Sequence, residues 1–397
     1  MGKGKKKKQI GRPSRLLWFF AYLWLRCTVA LRYRVKIDRT AIRGFRGPGL
    51  VLAPHTAEAD PFLIGLALYP HRPNFVVSAH FLSNPKIRRI FRLLHVIPKR
   101  MFSADPSTIL NIKRAKNEGN IVVLFPEGRL PCSGHSVPIA AGTDSLVHRL
   151  GVDVFVVTCH GAYLSFPKWS PERRRGRIRI EVKRLFTAAE AAALPEEEVR
   201  ARLSAAISHN DEAAMAGVRY ICKNPAKGVD GILYRCPVCG GEGCLSAEGS
   251  HITCTCGASV KLLCDYRLEG SRFATLGEWF LWQRDGIDTS APLSATVRVG
   301  TPDSLGNMNE DAGEGKVVLS REGIAFSGTV NGEPLSFRIA AEHLGGLPIT
   351  VARHFDVYYN NRLYYLYPQP DTRLAVKFVV YCDKLLSEQG ALASVSS

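Results

Sequence analysis

At 397 residues the chain is longer than the roughly 250–300 residues at which a single core stops growing, so one sizeable domain plus smaller ones is expected. Apolar residues at 46% and charged residues at 22% exclude a disordered or fibrous chain. The formal net charge is +18, but residues 1–46 carry 14 Lys and Arg against Asp38 alone, residues 61–130 carry 11 against three acids, and residues 131–397 are close to neutral. That distribution excludes a nucleic-acid binder with basic charge along its whole length.

The chain opens on a polybasic run (Lys3 to Lys8, then Arg12 and Arg15), followed directly by the apolar stretch 16–31. Sixteen residues interrupted by Arg26 fall short of the about 20 that a spanning helix needs, and basic flanks on both sides give no orientation. A secretory signal would need a small-residue cleavage site, and a myristoylation signal would need Ser or Thr where Lys6 stands. The expected element is a helix lying in a membrane interface, with Trp18, Phe19, Tyr22 and Trp24 at headgroup depth beside an anionic lipid surface. A helix capping the core of the next domain is the competing expectation.

The segment 50–53 reads as an apolar strand that turns into a helix with Pro61 in its first turn. His55 and Asp60 therefore stand at a strand-to-helix junction, where sites of α/β folds form. A His held in one tautomer by a carboxylate is a general base near neutral pH; the plainer reading is a turn His beside a helix-capping Asp. A second buried strand, within residues 120–125, ends in the turn Phe125-Pro126-Glu127-Gly128-Arg129. Between the two lies a basic stretch in which Lys99 and Arg100 follow the short apolar run His95-Val96-Ile97-Pro98 rather than a helix surface. By charge and by the Arg fork they are the expected phosphate ligands. Residues 154–157 form a further apolar strand, and the following His160 and Tyr163 read as pocket wall or packing.

The blocks His55-Thr-Ala-Glu-Ala-Asp60, Ile97-Pro-Lys-Arg100 and Phe125-Pro-Glu-Gly-Arg129, in this order and spacing, resemble the 1-acyl-sn-glycerol-3-phosphate (lysophosphatidic acid) acyltransferase family over about residues 47–185. The resemblance implies an α/β fold, a glycerolipid acyltransferase-like mixed sheet flanked by helices. It also implies acyl transfer from acyl-CoA or acyl carrier protein to the free hydroxyl of a lysophospholipid acceptor, giving phosphatidic acid, with no catalytic cofactor and no covalent acyl-enzyme. By the family pattern His55 is the base and Asp60 orients it. Glu127, Gly128 and Arg129 shape the acceptor pocket, and Arg100 with Lys99 holds its phosphate. The sequence departs from that pattern in having Pro54 where Asn commonly precedes the His, and in Arg129 following Gly128 directly. A related glycerolipid or lysophospholipid acyltransferase is the nearest alternative, and a non-catalytic lipid- or protein-binding module that keeps the fold is the alternative of a different class.

Residues 187–215 are rich in Ala and Glu, with Pro195 at a helix start, and read as a helical linker. Six of the eleven cysteines fall between Cys236 and Cys264. Cys236 and Cys239 form one knuckle of a zinc-ribbon-like module, and Cys254 and Cys256 the other; Cys244 and Cys264 are possible substitutes. Disulfides are the competing use of these thiols and are disfavoured in a reducing compartment. Only Arg235, Lys261 and Arg267 are basic within residues 231–270, so the module reads as a structural staple rather than a nucleic-acid reader. Trp279, Phe280 and Trp282 are expected to pack it on a neighbour. From residue 316 onward short alternating segments, separated by Asn331-Gly332 and Asn360-Asn361, predict an antiparallel sheet or barrel, pleckstrin-homology-like in pattern, with a final helix over 380–389. The expected organisation is a basic tail and interfacial helix (1–46), an acyltransferase domain with its helical linker (47–230), a zinc-ribbon-like module (231–290) and a β-rich domain (291–397). The expected location is the cytoplasmic face of a membrane, held peripherally or monotopically.

Overall fold

All four residues of the central strand β2 are buried, and the first sheet is built around it. A computed structural model describes residues 9–101, 105–303 and 306–388; Lys3 to Lys8 of the basic tail and residue 389 of the expected last helix lie outside the described residues. The strands are β1 (Lys36–Asp38), β2 (Gly49–Leu52), β3 (Asn74–Ser78), β4 (Ile97–Lys99), β5 (Ile121–Leu124), β6 (Asp153–His160) and β7 (Arg179–Phe186). Their order is β1-β7-β6-β2-β5-β3-β4, every neighbouring pair parallel except β6 with β7. The associated helices are α1 (Arg15–Leu25), α2 (Asp60–Leu68), α3 (Pro85–Leu93), α4 (Pro106–Asn117), α5 (Thr143–Leu150), α6 (Ala162–Ser165), α7 (Ala188–Ala193), α8 (Glu196–Ile207) and α9 (Asp211–Ala214). Ile112, Leu146 and Leu203 cover one face of the sheet, while Leu63 and Ile64 of α2 cover the other. Because β2, β5, β3 and β4 run in one direction, the loops after them open on one edge, where sites of such sheets form.

Helix α1 packs along one side on the first domain, as the capping expectation has it, so Trp18 and Tyr22 face the protein rather than lying at headgroup depth. Ser14 caps it, accepting from the Leu17 N–H at 3.0 Å, and the helix continues as a π-helical turn through Ala30. Trp18 is buried over Gly65 of α2, and Tyr22 stacks on Tyr69 with ring centroids 3.9 Å apart. Leu16, Phe19, Phe20, Leu23 and Trp24 remain exposed on its outer side. Among the described residues no helix is long and apolar enough to cross a membrane.

The segment expected as a linker is helical, but it is not free-standing. Val199, Leu203 and Ile207 of α8 are buried in the core beneath the sheet, so α8 is one of the covering helices.

A small antiparallel sheet follows, of β8 (Leu245–Glu248), β9 (His251–Cys254), β10 (Ser259–Leu262) and β11 (Leu268–Glu269), with α10 (Leu276–Asp285) against it. Trp279 of α10 is buried and donates its indole N–H to the Arg235 carbonyl at 3.0 Å, while the Gln283 carboxamide bonds the backbone of Tyr234 and Ile232. The buried Arg174 joins this part to the first sheet. Its guanidinium lies between the rings of Trp169 and Tyr266, 4.5 and 4.8 Å from their centroids, and donates to the Pro225 carbonyl.

The third sheet is an antiparallel meander of β12 (Leu293–Pro302), β13 (Met308–Ser320), β14 (Gly323–Val330), β15 (Glu333–Ala340), β16 (Ile349–Thr350), β17 (His354–Tyr359) and β18 (Arg362–Pro368), closed on one side by α11 (Ala375–Glu388). Its order is β15-β14-β13-β12-β18-β17-β16. Asn331 and Gly332 both have positive φ (53° and 82°), as do Asn360 and Asn361 (48° and 60°), the backbone that two-residue hairpins need. One apolar cluster runs without interruption from Tyr163 and Trp169 through Tyr234 and Trp279 to Phe355 and Phe378, so the later parts pack on the first.

Candidate active site

The loop after β2 carries His55, and Asp60 opens α2 five residues later. Asp60 is fully buried; one carboxylate oxygen accepts from the Ala57 N–H at 2.8 Å and stands 3.2 Å from His55 Nδ1. Burial pushes the Asp60 carboxyl above the ordinary carboxylate range, while the hydrogen bond to His55 acts against that rise. With Asp60 on Nδ1, the proton sits there and Nε2 carries the lone pair. His55 Nε2 makes no hydrogen bond among the described residues. The imidazole also stacks on Phe125, centroids 4.1 Å apart, which fixes its plane.

The turn after β5 meets this loop through Glu127. Its buried carboxylate accepts from the His55 N–H at 2.6 Å and from the Val137 N–H at 3.0 Å. Burial raises its pKa to about 8 against those two hydrogen bonds. Gly128 follows with φ +69°, a left-handed conformation in which a side chain would be strained.

The residues expected to bind substrate fall into separate places. Glu127 and Gly128 lie beside His55. Arg129 does not face the His55 side of the turn. It is buried, ion-paired with Asp383 of α11, and packed against Gly346, where a Cβ would lie 2.6 Å from its Nε. The departure at Arg129 noted in the sequence thus has a physical outcome, because the guanidinium is directed into the C-terminal part of the chain. Lys99 and Arg100 stand at the end of β4, two strands beyond β5, and line a cavity of about 680 Å³. Lys99 is largely withdrawn from solvent, and burial lowers its pKa. Met101 connects the two places, since its methyl group is 3.8 Å from where a Gly128 Cβ would be. His160, the last residue of β6, stands 3.6 Å from Glu181 and edge-on to His209.

Sequence reasoning missed Phe125 as the stacking partner of His55, and it missed Lys168. The latter is half-buried, with its pKa lowered by loss of water, in the field of Cys132, Asp356, Glu58 and Arg129. Asp356, on β17, is raised to about 7 by burial. No local signal marks either residue, because their surroundings come from distant parts of the chain.

The four expected cysteines come together. Cys236 and Cys256 have their Sγ atoms 4.0 Å apart, Cys239 and Cys254 3.8 Å apart, and all four lie within 4.8 Å of one another. The short Cys254-Thr-Cys256 knuckle does not prevent both thiols from facing the group. Cys244 adds a fifth sulfur 3.4 Å from that of Cys254, whereas Cys264 is used through its carbonyl, which accepts from the Tyr220 N–H. The Gly241 N–H draws the Cys239 thiol down to about 7.

Residues 32–160, which hold His55, Asp60, Lys99, Arg100 and the Phe125–Arg129 turn, match the acyltransferase family model. The 1-acyl-sn-glycerol-3-phosphate acyltransferase of Bacillus subtilis (strain 168) is 22% identical over 188 residues, 46% of this chain and 89% of the relative. The crystal structure of the 1-acyl-sn-glycerophosphate (LPA) acyltransferase PlsC from Thermotoga maritima aligns over 48% of this chain and 75% of its own, at 17% identity and a TM-score of 0.38.

The Glu127 carboxyl gives a prediction with a definite sign. Its pKa rises from 4.5 to about 8 on folding, so the stability tied to its protonated form is complete below pH about 4.5 and is lost as the pH rises through 8. Glu127→Gln cannot ionise. The unfolding free energy of Glu127→Gln minus that of wild type is expected to grow by up to about 4 kcal/mol between pH 4.5 and 8.5. Denaturant titrations that give parallel pH curves for the two proteins would contradict this.

Proposed function

We propose that the chain transfers a fatty acyl group from a thioester donor, acyl-CoA or acyl carrier protein, to the free hydroxyl of 1-acyl-sn-glycerol-3-phosphate, giving phosphatidic acid. The observation that carries this reading is the His55–Asp60 pair at 3.2 Å, with Nε2 making no hydrogen bond among the described residues and the His55 backbone N–H held by Glu127. In this reading His55 Nε2 takes the acceptor's hydroxyl proton as the oxygen attacks the thioester carbonyl. The C–S bond then breaks, and the departing thiolate takes the proton from His55. Asp60 stabilises the imidazolium formed between these events. A thioester is already activated, so alignment and the relay of one proton through His55 account for most of what the protein must do. Lys99 and Arg100 supply the positive charge that a phosphate-bearing acceptor requires. The relative from Bacillus subtilis supports the acceptor class by its name. The assay is acyl transfer to several lysolipid acceptors with both donor types. His55→Ala is expected to lose at least about 10²-fold in kcat/KM, and retained activity would rule the mechanism out.

The same reading places the protein on the cytoplasmic face of a membrane with an anionic surface. The exposed Phe20 and Trp24 of α1 supply apolar anchorage, and the basic N-terminal residues supply attraction. Replacing Phe20 and Trp24 together by Ser is expected to release the protein from anionic vesicles in flotation without lowering its melting temperature. Undiminished flotation would remove α1 from the interface.

For the cysteine cluster we propose a structural zinc ion held by Cys236, Cys239, Cys254 and Cys256. Zinc–sulfur bonds of about 2.3 Å in a tetrahedron put sulfurs about 3.8 Å apart, close to the two pair distances above. The ion would staple the knuckles beneath the small sheet, and no chemical step passes through it. Elemental analysis of reduced protein is expected to give one zinc per chain, lost together with thermal stability in Cys239→Ser. Metal-free protein of undiminished stability would exclude it.

A further inference from the structure

The cavity at the end of β4 is shared between two parts of the chain. Lys99 and Arg100 line it from the first sheet, and Asn331, Glu333 and Arg362 line it from the hairpins of the third. Three cations thus face one carboxylate. None of the three makes an ion pair with any of the described residues, although Lys99 is mostly buried. Burial withdraws the Lys99 ammonium from water while the field of Asp105 acts to keep it charged, and the exposed Arg100 and Arg362 line the same space, so an anion in the cavity would meet charge from all three. The two walls are held in register, because Tyr365 on β18 hydrogen-bonds His80 at the end of β3 at 3.2 Å. The cavity, at about 680 Å³, is of ligand-binding size.

Its position restricts the anion. The axes of β2 and β4 are three strand spacings apart, roughly 14 Å, and Met101 lies between the cavity and Gly128. A long cationic side chain reaching inward and a glycerol unit reaching outward close that gap, so a phosphate in the cavity and a hydroxyl at His55 can belong to one small molecule.

We propose that the C-terminal sheet is a working part of the acceptor site, and that Arg362 acts with Lys99 and Arg100 to hold the phosphate monoester of the glycerolipid acceptor. Arg362 then determines specificity, since its planar fork fits a dianionic phosphate and leaves an uncharged or zwitterionic headgroup poorly matched. This rests on the acyl-transfer reading above, and a binding measurement separates the two.

The test uses the full chain carrying Arg362→Gln or Arg362→Lys. Arg362 is exposed and its replacement leaves no buried group without a partner, so both variants are expected to melt as wild type does. In steady-state assays Arg362→Gln is expected to raise KM for lysophosphatidic acid tenfold or more, with kcat and the donor KM within twofold of wild type. Arg362→Lys is expected to fall between the two. An unchanged acceptor KM, or a rise in the donor KM instead, would overturn the proposal. Calorimetric titration with sn-glycerol 3-phosphate, without donor, is expected to show binding to wild type that Arg362→Gln weakens at least tenfold. Equal binding to both proteins would overturn the assignment, as would inorganic phosphate binding as tightly as the glycerol ester. A chain that binds the ester through Arg362 but acylates no lysolipid would overturn the catalytic reading and leave the cavity assignment supported.

Discussion

Glu127 accepts hydrogen bonds from the His55 and Val137 N–H groups, and much of the geometry around the candidate site follows from that one carboxyl. The loops after β2 and β5 are 72 residues apart in sequence and leave neighbouring strands in the same direction. The sheet brings their starts together but does not fix where a side chain on either loop will point. The buried carboxyl does so by holding the backbone at His55, and the turn that carries it also supplies Phe125, on which the imidazole lies. Fixing a backbone N–H is a rigid way to place a side chain, since the fewest torsions separate the anchor from the ring. The cost is a carboxyl withdrawn from water, and its raised pKa records that cost.

The first sheet does not close this edge alone. Beyond the Phe125–Arg129 turn the next contacts come from the C-terminal part of the chain, through Asp383, Gly346 and the hairpins that carry Asn331 and Arg362. The positive charge of the first third is therefore divided. Part of it sits with the N-terminal residues beside the exposed apolar face of α1. Part lies in a cavity whose opposite wall is supplied from more than two hundred residues further on.

How much of this could be read from the sequence depended on how local the determining contacts are. The strands β2, β5 and β6 were legible because short runs of Leu, Ile and Val bounded by turn residues have few other uses. The hairpins at 331–332 and 360–361 were legible because positive φ at two successive positions selects Asn and Gly. The His55–Asp60 pair and the cysteine knuckles are short-range patterns, and both came together as spaced. Glu127 was recognised as a site residue, but not that it would hold a backbone 72 positions away. The Ala- and Glu-rich composition of residues 187–215 reads as a linker. Yet Val199, Leu203 and Ile207 recur at the spacing of a single helix face, a signal that its charge obscured. Arg129 could not have been placed, because both of its neighbours lie in a region with no motif.

Arg129 and Asp383 are 254 positions apart, and each is needed to make the other tolerable. A guanidinium sealed under Gly346 without its carboxylate would be an isolated charge in the interior, and the reverse loss would leave the half-buried acid without its ion pair. For lineages of this chain the two positions form an epistatic couple, in which neither change is neutral until the other has occurred. The C-terminal region is thereby tied to the turn beside His55 by descent as well as by contact, so exchange of one region between relatives would have to carry the matching residue of the other.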